Sequence, residues 1–403
     1  MNRDIPINEI GWLCTHNAFN SNAEIGATAE STGGTNQNHS IDDQLTDGVR
    51  AFMIDVHNFH TAPRVCHAVA NPYEDLCDLL IKFKSWLTDE KNKKEIIILM
   101  MEVAKDVPAE WIKDTFEGQG PITRSADYNL KDLLYTHPSA SHPWPTINTL
   151  VKDGKRVIVF RQTDEGQGQI ADGMNWYHDM WTYWIENPYG NSNWDDIQTH
   201  TYQLLRGSRN TAAFFNLNHF VNTGHTGSGS AGFAQGMNMN DYLRTRALIA
   251  WRMQARRPTL SVDFFRSLQG EATENTYNTV DTAEELNDVP CIRGTITFDD
   301  GGPFELDVTW SGIKNLDFLS NGLSSNDYRI QSGSDGQGTA LPTSHGGYFC
   351  FPPNNVKNGN TYTEMTIKPS CEGYTITPSN SGWDGVWDGK TSMTQNFTVK
   401  KNA

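Results

Sequence analysis

The chain has 403 residues, and its 48 acidic against 32 basic side chains give a formal charge of −16, which argues against a nucleic-acid partner, since such proteins carry a basic footprint. At roughly 150 residues per domain the length allows two or three domains, and 37% hydrophobic with 20% charged residues excludes a disordered chain. The longest aliphatic run, Ile96 to Met101, is far short of the ~20 residues that a membrane span needs, so no transmembrane segment is expected.

In chain order, the apolar runs Gly11–Cys14, Ala51–Val56, Ile96–Glu102, Arg156–Arg161, Ala212–Leu217 and Thr259–Asp263 read as strands buried on both faces. Tyr73–Asp89 and Asn240–Arg256 have helical periodicity, and Pro258 stops the second of these helices. Strand and helix alternating over residues 1–287 predict an α/β fold, a distorted (β/α)8 barrel of the TIM type. Asn222–Gly236 holds five glycines and reads as a long mobile loop of the kind that covers active sites. Beyond residue 288 the pattern changes to period two, in Phe304–Trp310 and Tyr362–Ile367, which predicts a C-terminal antiparallel β-sandwich over 288–403. Trp383 and Trp387 in that part are expected either to fill the sandwich core or to meet sugar rings or a lipid interface. The spacing of Cys66 with Cys77 and of Cys350 with Cys371 suits local disulfides in an oxidising compartment, buried free thiols being the alternative.

Chemistry-bearing residues collect where the predicted strands end. His16 and Asn17 follow the first strand, Asp55 closes the second, His67 comes shortly after it, and Glu102 closes the third. In a β/α barrel those ends form one mouth. Two histidines of near-neutral pKa there can serve as general acid and general base. Asn17, Asp55 and Glu102 make a hard oxygen set that Ca²⁺ accepts and zinc does not favour. Arg161 ends another strand with a planar fork of donors suited to phosphate or sugar hydroxyls. His57 and His60 form a weaker metal pattern, and the tryptophans at 176, 181 and 184 suit packing against the barrel or a lipid-facing rim.

The order of motifs resembles the X-domain of phosphatidylinositol-specific phospholipase C, and among its members the secreted type. The resemblance rests on Thr15-His16-Asn17-Ala18-Phe19, Asn36-Gln37, Gln44 through Arg50, Met53-Ile54-Asp55 and Cys66-His67. It continues in Trp144-Pro145-Thr146, Lys155 through Phe160 and Trp184 through Gly190, and covers about residues 8–270. It implies a distorted TIM barrel in which His16 and His67 are the catalytic pair and Asp263 orients His16. Asn17, Asp55 and Glu102 would hold Ca²⁺. Arg50, which the family motif matches, is expected to be a structural ion-pair partner or else to contact substrate, and Arg161 is expected either to contact substrate or to be solvated. Met53 departs from the metal-dependent branch, which carries Glu there, whereas Asp55 departs from the metal-free branch, which carries Arg.

The implied reaction is cleavage of phosphatidylinositol to diacylglycerol and inositol 1,2-cyclic phosphate by a secreted, monomeric enzyme acting at a membrane interface. The acidic net charge repels anionic lipid, so a bridging cation and aromatic side chains would have to carry the contact. Two rivals are another phosphodiesterase on the same barrel, of glycerophosphodiesterase type, and a non-catalytic lipid or sugar binder. Asn17 with Met53 fits the first poorly, and the His16/His67 pair speaks against the second, since binding alone requires no acid and base.

Overall fold

The structure is a computed structural model that describes residues 2–25, 35–60, 62–66, 72–119, 129–164, 167–208, 211–222, 229–267, 276–302, 304, 306–313, 316–318, 330–332, 341–344, 347–354 and 364–403. Ten strands lead the fold: β1 (Leu13–Thr15), β2 (Ala51–Phe59), β3 (Ala62–Cys66), β4 (Pro72–Asp75), β5 (Ile97–Val103), β6 (Val157–Arg161), β7 (Tyr177–Asp179), β8 (Trp184–Glu186), β9 (Phe214–His219) and β10 (Pro258–Val262). Eight of them form one curled parallel sheet in the order β7-β6-β5-β2-β1-β10-β9-β8, with β3 and β4 as an antiparallel flap on β2. The path starts at β7 and ends at β8, and the one-turn helix Met180–Tyr183 joins these two edges.

Alternation along the strands explains the apolar runs. Side chains of a strand point to opposite faces in turn. Phe52, Ile54 and Val56 therefore face the outer helices together with Ile97, Leu99, Met101 and Val103, while Ala51, Met53, Ile98 and Met100 point into the barrel. The interior is a packed core of Trp144, Phe160, Tyr183, Trp184 and Phe214, with the Trp184 and Phe214 rings stacked at 4.5 Å. On the outer face, Leu76, Leu79, Leu80, Phe83 and Leu87 make the buried stripe of the helix Leu76–Thr88 at the i, i+3, i+4 spacing of an amphipathic helix. That helix starts later than expected because Pro72–Asp75 is taken up by β4. The helix Asn240–Gln254 ends at Ala255 in a left-handed conformation, φ 52°, and Pro258 opens β10.

Two further expectations change. Within the glycine-rich stretch, Ala231–Met237 is a helix capped by the Ser230 hydroxyl on Phe233 N, since a side-chain cap offsets glycine's poor helix propensity. All six cysteines are free thiols, so neither expected disulfide is present. Cys350 is instead built into the junction with the barrel, its N–H bonding Ala255 O at 2.8 Å and its carbonyl accepting from Trp251 Nε1 at 3.1 Å.

The C-terminal part forms separate small sheets around its own core. β11 (Ile292–Phe298) pairs antiparallel with Tyr348–Phe351 but parallel with Phe397–Lys401. The expected all-antiparallel sandwich is therefore mixed: the long excursion between β11 and the last strand permits a parallel crossover, which a hairpin does not. Trp310, Phe349, Phe351, Trp387 and Phe397 meet in this core. Trp387 is buried and donates Nε1 to Thr391 O, and Trp383 is half-buried against the same cluster. Both pack; neither forms an exposed aromatic tip. This part docks where the barrel strands begin, through Glu9 on Arg293 at 2.7 Å and the fully buried Arg252 on Pro353 O. Its sheets lie at the end of the barrel opposite to that where the strands finish.

Candidate active site

A cleft of about 600 Å³ opens where the parallel strands end, lined among others by His16, Asn17, Asp55, Glu102, Glu186, Arg206 and Phe220. One wall of the cleft grows from β1 and β10, neighbours in the middle of the sheet. His16 follows β1 and Asp263 follows β10, and His16 Nδ1 lies 2.9 Å from Asp263 Oδ1. Phe220 stacks on the imidazole at 3.8 Å with the rings 5° from parallel. Asn36 Nδ2 donates to Asp263 Oδ1 at 3.0 Å and lies 3.3 Å from His16 Nδ1. Burial pushes the Asp263 carboxyl upward, against the pull of His16 and Asn36. Gln37 clamps the seam by donating Nε2 to both His16 O and Val262 O. Asn36 and Gln37 thus position the pair, a role that a polar dipeptide in a loop does not announce in sequence.

Two residues here sit in the left-handed region, Asn17 at φ 43° and Phe264 at φ 48°. Backbone strain in non-glycine residues flanking a polar cluster is typical of functional sites. Asn17 donates Nδ2 to Asn36 Oδ1 at 3.3 Å, which leaves its amide oxygen as the atom it can offer a cation.

Asp55 and Glu102 face each other directly across the β2–β5 ladder. Burial and the Glu102 charge push the Asp55 carboxyl well above its ordinary value, as expected for like charges held together. Two carboxylates and an amide oxygen lining one cleft are a donor set that fits a hard cation such as Ca²⁺. Met53 and Met100 lie beside them as an apolar floor.

The opposite wall was missed in the sequence. Glu186 ends β8 and is buried, with Oε2 accepting from Asn218 Nδ2 at 3.1 Å and Oε1 bound by Arg206. Arg206 also pairs with Asp164, and its guanidinium lies over the Trp181 ring at 4.2 Å and the Tyr189 ring at 4.9 Å. Burial raises the Glu186 carboxyl, which Arg206 opposes. Glu186 was findable, since a carboxylate follows the apolar pair Trp184-Ile185; Arg206 comes from a loop without such a signal. Of the tryptophans, Trp176 and Trp184 are buried, and Trp181 is the shelf under Arg206.

Of the expected site residues, His16, Asn17, Asp55 and Glu102 share the cleft, and Asp263 holds His16. His67 lies outside the described residues; Cys66, just before it, ends β3, where burial and then the nearby Asp55 charge raise its thiol. Arg50 is not brought to the cleft. It precedes β2 at the other end of the barrel, where Glu95 Oε2 takes its Nε at 2.9 Å and Trp86 stacks at 4.4 Å. Arg161 ends β6 but gives Nη1 to Gly168 O at 2.6 Å and Nε to Tyr177 O at 3.3 Å, which ties β6 to β7. His57 lies in the β2–β3 hairpin opposite Arg64, and among the described residues neither it nor His60 joins a cluster of potential metal ligands.

The strand ends thus bring a His–Asp pair and two facing carboxylates to one mouth of a curled parallel barrel. The family model described as PI-PLC X 1 matches residues 8–277, and the chain belongs to that family. A PI-PLC X domain-containing protein of Arabidopsis thaliana is 26% identical over 46% of this chain and 42% of its own length. A PI-PLC X domain-containing protein 1 of Arthroderma benhamiae is 22% identical over 46% of this chain and 58% of its own. The matches thus span roughly half of these relatives. Among solved structures, the phosphatidylinositol-specific phospholipase C of Staphylococcus aureus superposes with a TM-score of 0.50 at 15% identity, over 71% of this chain and 95% of that one, a likeness of fold.

Proposed function

We infer that the chain is a secreted, monomeric phosphatidylinositol-specific phospholipase C that works with Ca²⁺ at a membrane interface. The observation that carries this reading is His16 held by Asp263 in the same cleft as Asp55 and Glu102. With Nδ1 committed to Asp263, Nε2 is the nitrogen left to act on substrate, the orienting logic of catalytic triads. His16 takes the proton of the inositol 2-hydroxyl or stabilises the pentacoordinate phosphorus. The freed oxygen attacks the neighbouring phosphorus, the bond to the glycerol oxygen breaks, and His67 protonates that oxygen, giving diacylglycerol and the cyclic phosphodiester. The nucleophile belongs to the substrate, so little entropy is lost in bringing it to phosphorus. Asn17, Asp55 and Glu102 would hold the cation, which supplies charge stabilisation to the phosphoryl oxygens. The Glu186–Arg206–Asp164 wall offers both acceptors and donors, as a ring of hydroxyls requires.

Interfacial action is supported by apolar side chains at the mouth: Tyr189 and Leu205 line it with 44% and 48% of their surface exposed. No described helix is long and apolar enough to cross a membrane. Export is supported by a relative in Arthroderma benhamiae named as an uncharacterized secreted protein, 25% identical over 38% of this chain. Phosphorus NMR on phosphatidylinositol vesicles, with and without EDTA, tests the reading. A cyclic phosphodiester that appears only with Ca²⁺ supports it; turnover untouched by EDTA removes the metal, and no turnover of this lipid removes the substrate.

A further inference from the structure

Two of the six cysteines meet at the junction between the barrel and the C-terminal sheets. Cys291 lies between the helix Thr279–Asp288 and β11, and Cys350 is on the strand Tyr348–Phe351 that pairs with β11. Arg293 stands directly opposite Cys350 in that ladder and also reaches back to Cys291 Sγ at 3.7 Å. Residues two apart share a strand face, so both thiols lie beside one guanidinium. They are 2% and 0% exposed. Three of the other four thiols have different surroundings: Cys14 is inside the barrel against Met100 Sδ, Cys66 contacts Arg64 O, and Cys371 contacts Glu372 O.

We propose that Cys291 and Cys350 are a disulfide site, whose closure fastens the C-terminal sheets to the barrel. The two thiols are chemically unequal, as thiol–disulfide exchange requires. The Cys350 hydrogen bond, with Arg257 and Arg293, holds the Cys291 thiol well below its ordinary value against the effect of burial, whereas burial pushes Cys350 well above. Cys291 thiolate attacks a low-molecular-weight disulfide such as oxidised glutathione, forming a mixed disulfide and expelling one glutathione thiolate. Cys350 then loses its proton and attacks Cys291 Sγ, which expels the second. The pair gives up two electrons and two protons, and glutathione disulfide becomes two thiols. Because both sulfurs are buried, the exchange belongs to folding, before the sheets are fully docked. Cys350 also bonds the barrel helix through its main chain at both N–H and carbonyl, so the link pins that contact covalently.

The test uses the full chain equilibrated in a glutathione redox buffer during refolding, trapped with N-ethylmaleimide in denaturant, digested without reductant and read by mass spectrometry. A Cys291–Cys350 linked peptide with the other four cysteines alkylated is expected. Reduction with dithiothreitol should lower the wild-type Tm by on the order of 10 °C, the size expected for opening a loop of this length, and leave a C291S/C350S double variant unmoved. Alkylation of both cysteines under oxidising buffer, or linkage of either to a different cysteine, overturns the proposal; the digest decides even if the double variant does not fold.

Discussion

Two regions of the barrel use histidine in opposite ways. At the mouth, His16 faces a buried carboxylate and an open cleft. In the aromatic core, His137 stacks on Trp144 at 3.7 Å, and its backbone N–H donates to His178 Nε2, while His178 Nδ1 lies 3.0 Å from Val159 O. Burial pushes both of these down to about 4, so they remain neutral and serve as hydrogen-bonding parts of an aromatic core. What separates a catalytic from a structural histidine is the partner, carboxylate or carbonyl, and access to a cleft, neither of which a residue count reveals.

The largest effect that sharpens this contrast is on turnover. His16→Ala should lower phosphodiester cleavage by on the order of 10²-fold or more in a protein that still folds, whereas His178→Leu should leave the rate per folded molecule intact. The latter strands the buried N–H of His137, which costs about 1–3 kcal/mol of stability. Equal kinetic losses in the two variants would erase the distinction.

The carboxylate pair gives a second, smaller readout that needs no assay of activity. In EDTA, Asp55→Asn removes a buried like-charge neighbour of Glu102 and should raise the Tm by a few degrees, on the order of 1 kcal/mol. It should also shrink the Tm gain that Ca²⁺ confers on the wild type. An unaltered Ca²⁺ response in this variant would detach Asp55 from the metal.

The mildest test is pH. His137 and His178 have folded-state values near 4 against an ordinary 6.5. Below pH 6.5 the unfolded chain takes up protons that the folded one refuses, so stability falls with pH until about 4, where the folded state protonates as well. Urea unfolding at stepped pH should show that decline over this window, and His178→Leu should flatten it.

Legibility in the sequence followed burial. β1, β2, β5, β6, β9 and β10 were readable because a parallel strand covered on both faces must be apolar throughout. β7 and β8 were not, since three-residue strands inside the aromatic stretch from Trp176 to Glu186 carry no usable period. The β3–β4 flap is short, and its side chains include Arg64 and Glu74, which conceal it. At the site, residues that end long strands were found, and Asp263 with them. Arg50 and Arg161 were open to two readings because a guanidinium satisfies backbone carbonyls and carboxylates as readily as it binds phosphate, while Arg206 was invisible because its partners converge only in three dimensions.

The ordering of the strands carries a mechanical consequence. The His16–Asp263 wall stands on β1 and β10 near the centre of the sheet, but Glu186 stands on β8, at one end of the strand order. Among the described residues its outer side is closed by a single bridge, Glu186 N on Arg206 O at 3.1 Å and Leu205 N on Glu186 O at 2.8 Å, and a margin held by a loop opens before a strand paired on both sides. Amide hydrogens of Tyr177–Asp179 and Trp184–Glu186 should therefore exchange with deuterium faster than those of β2 or β5. Breathing at this seam would widen the Glu186 side of the cleft while the His16–Asp263 side keeps its alignment, so that a ligand could enter and leave without disturbing that pair.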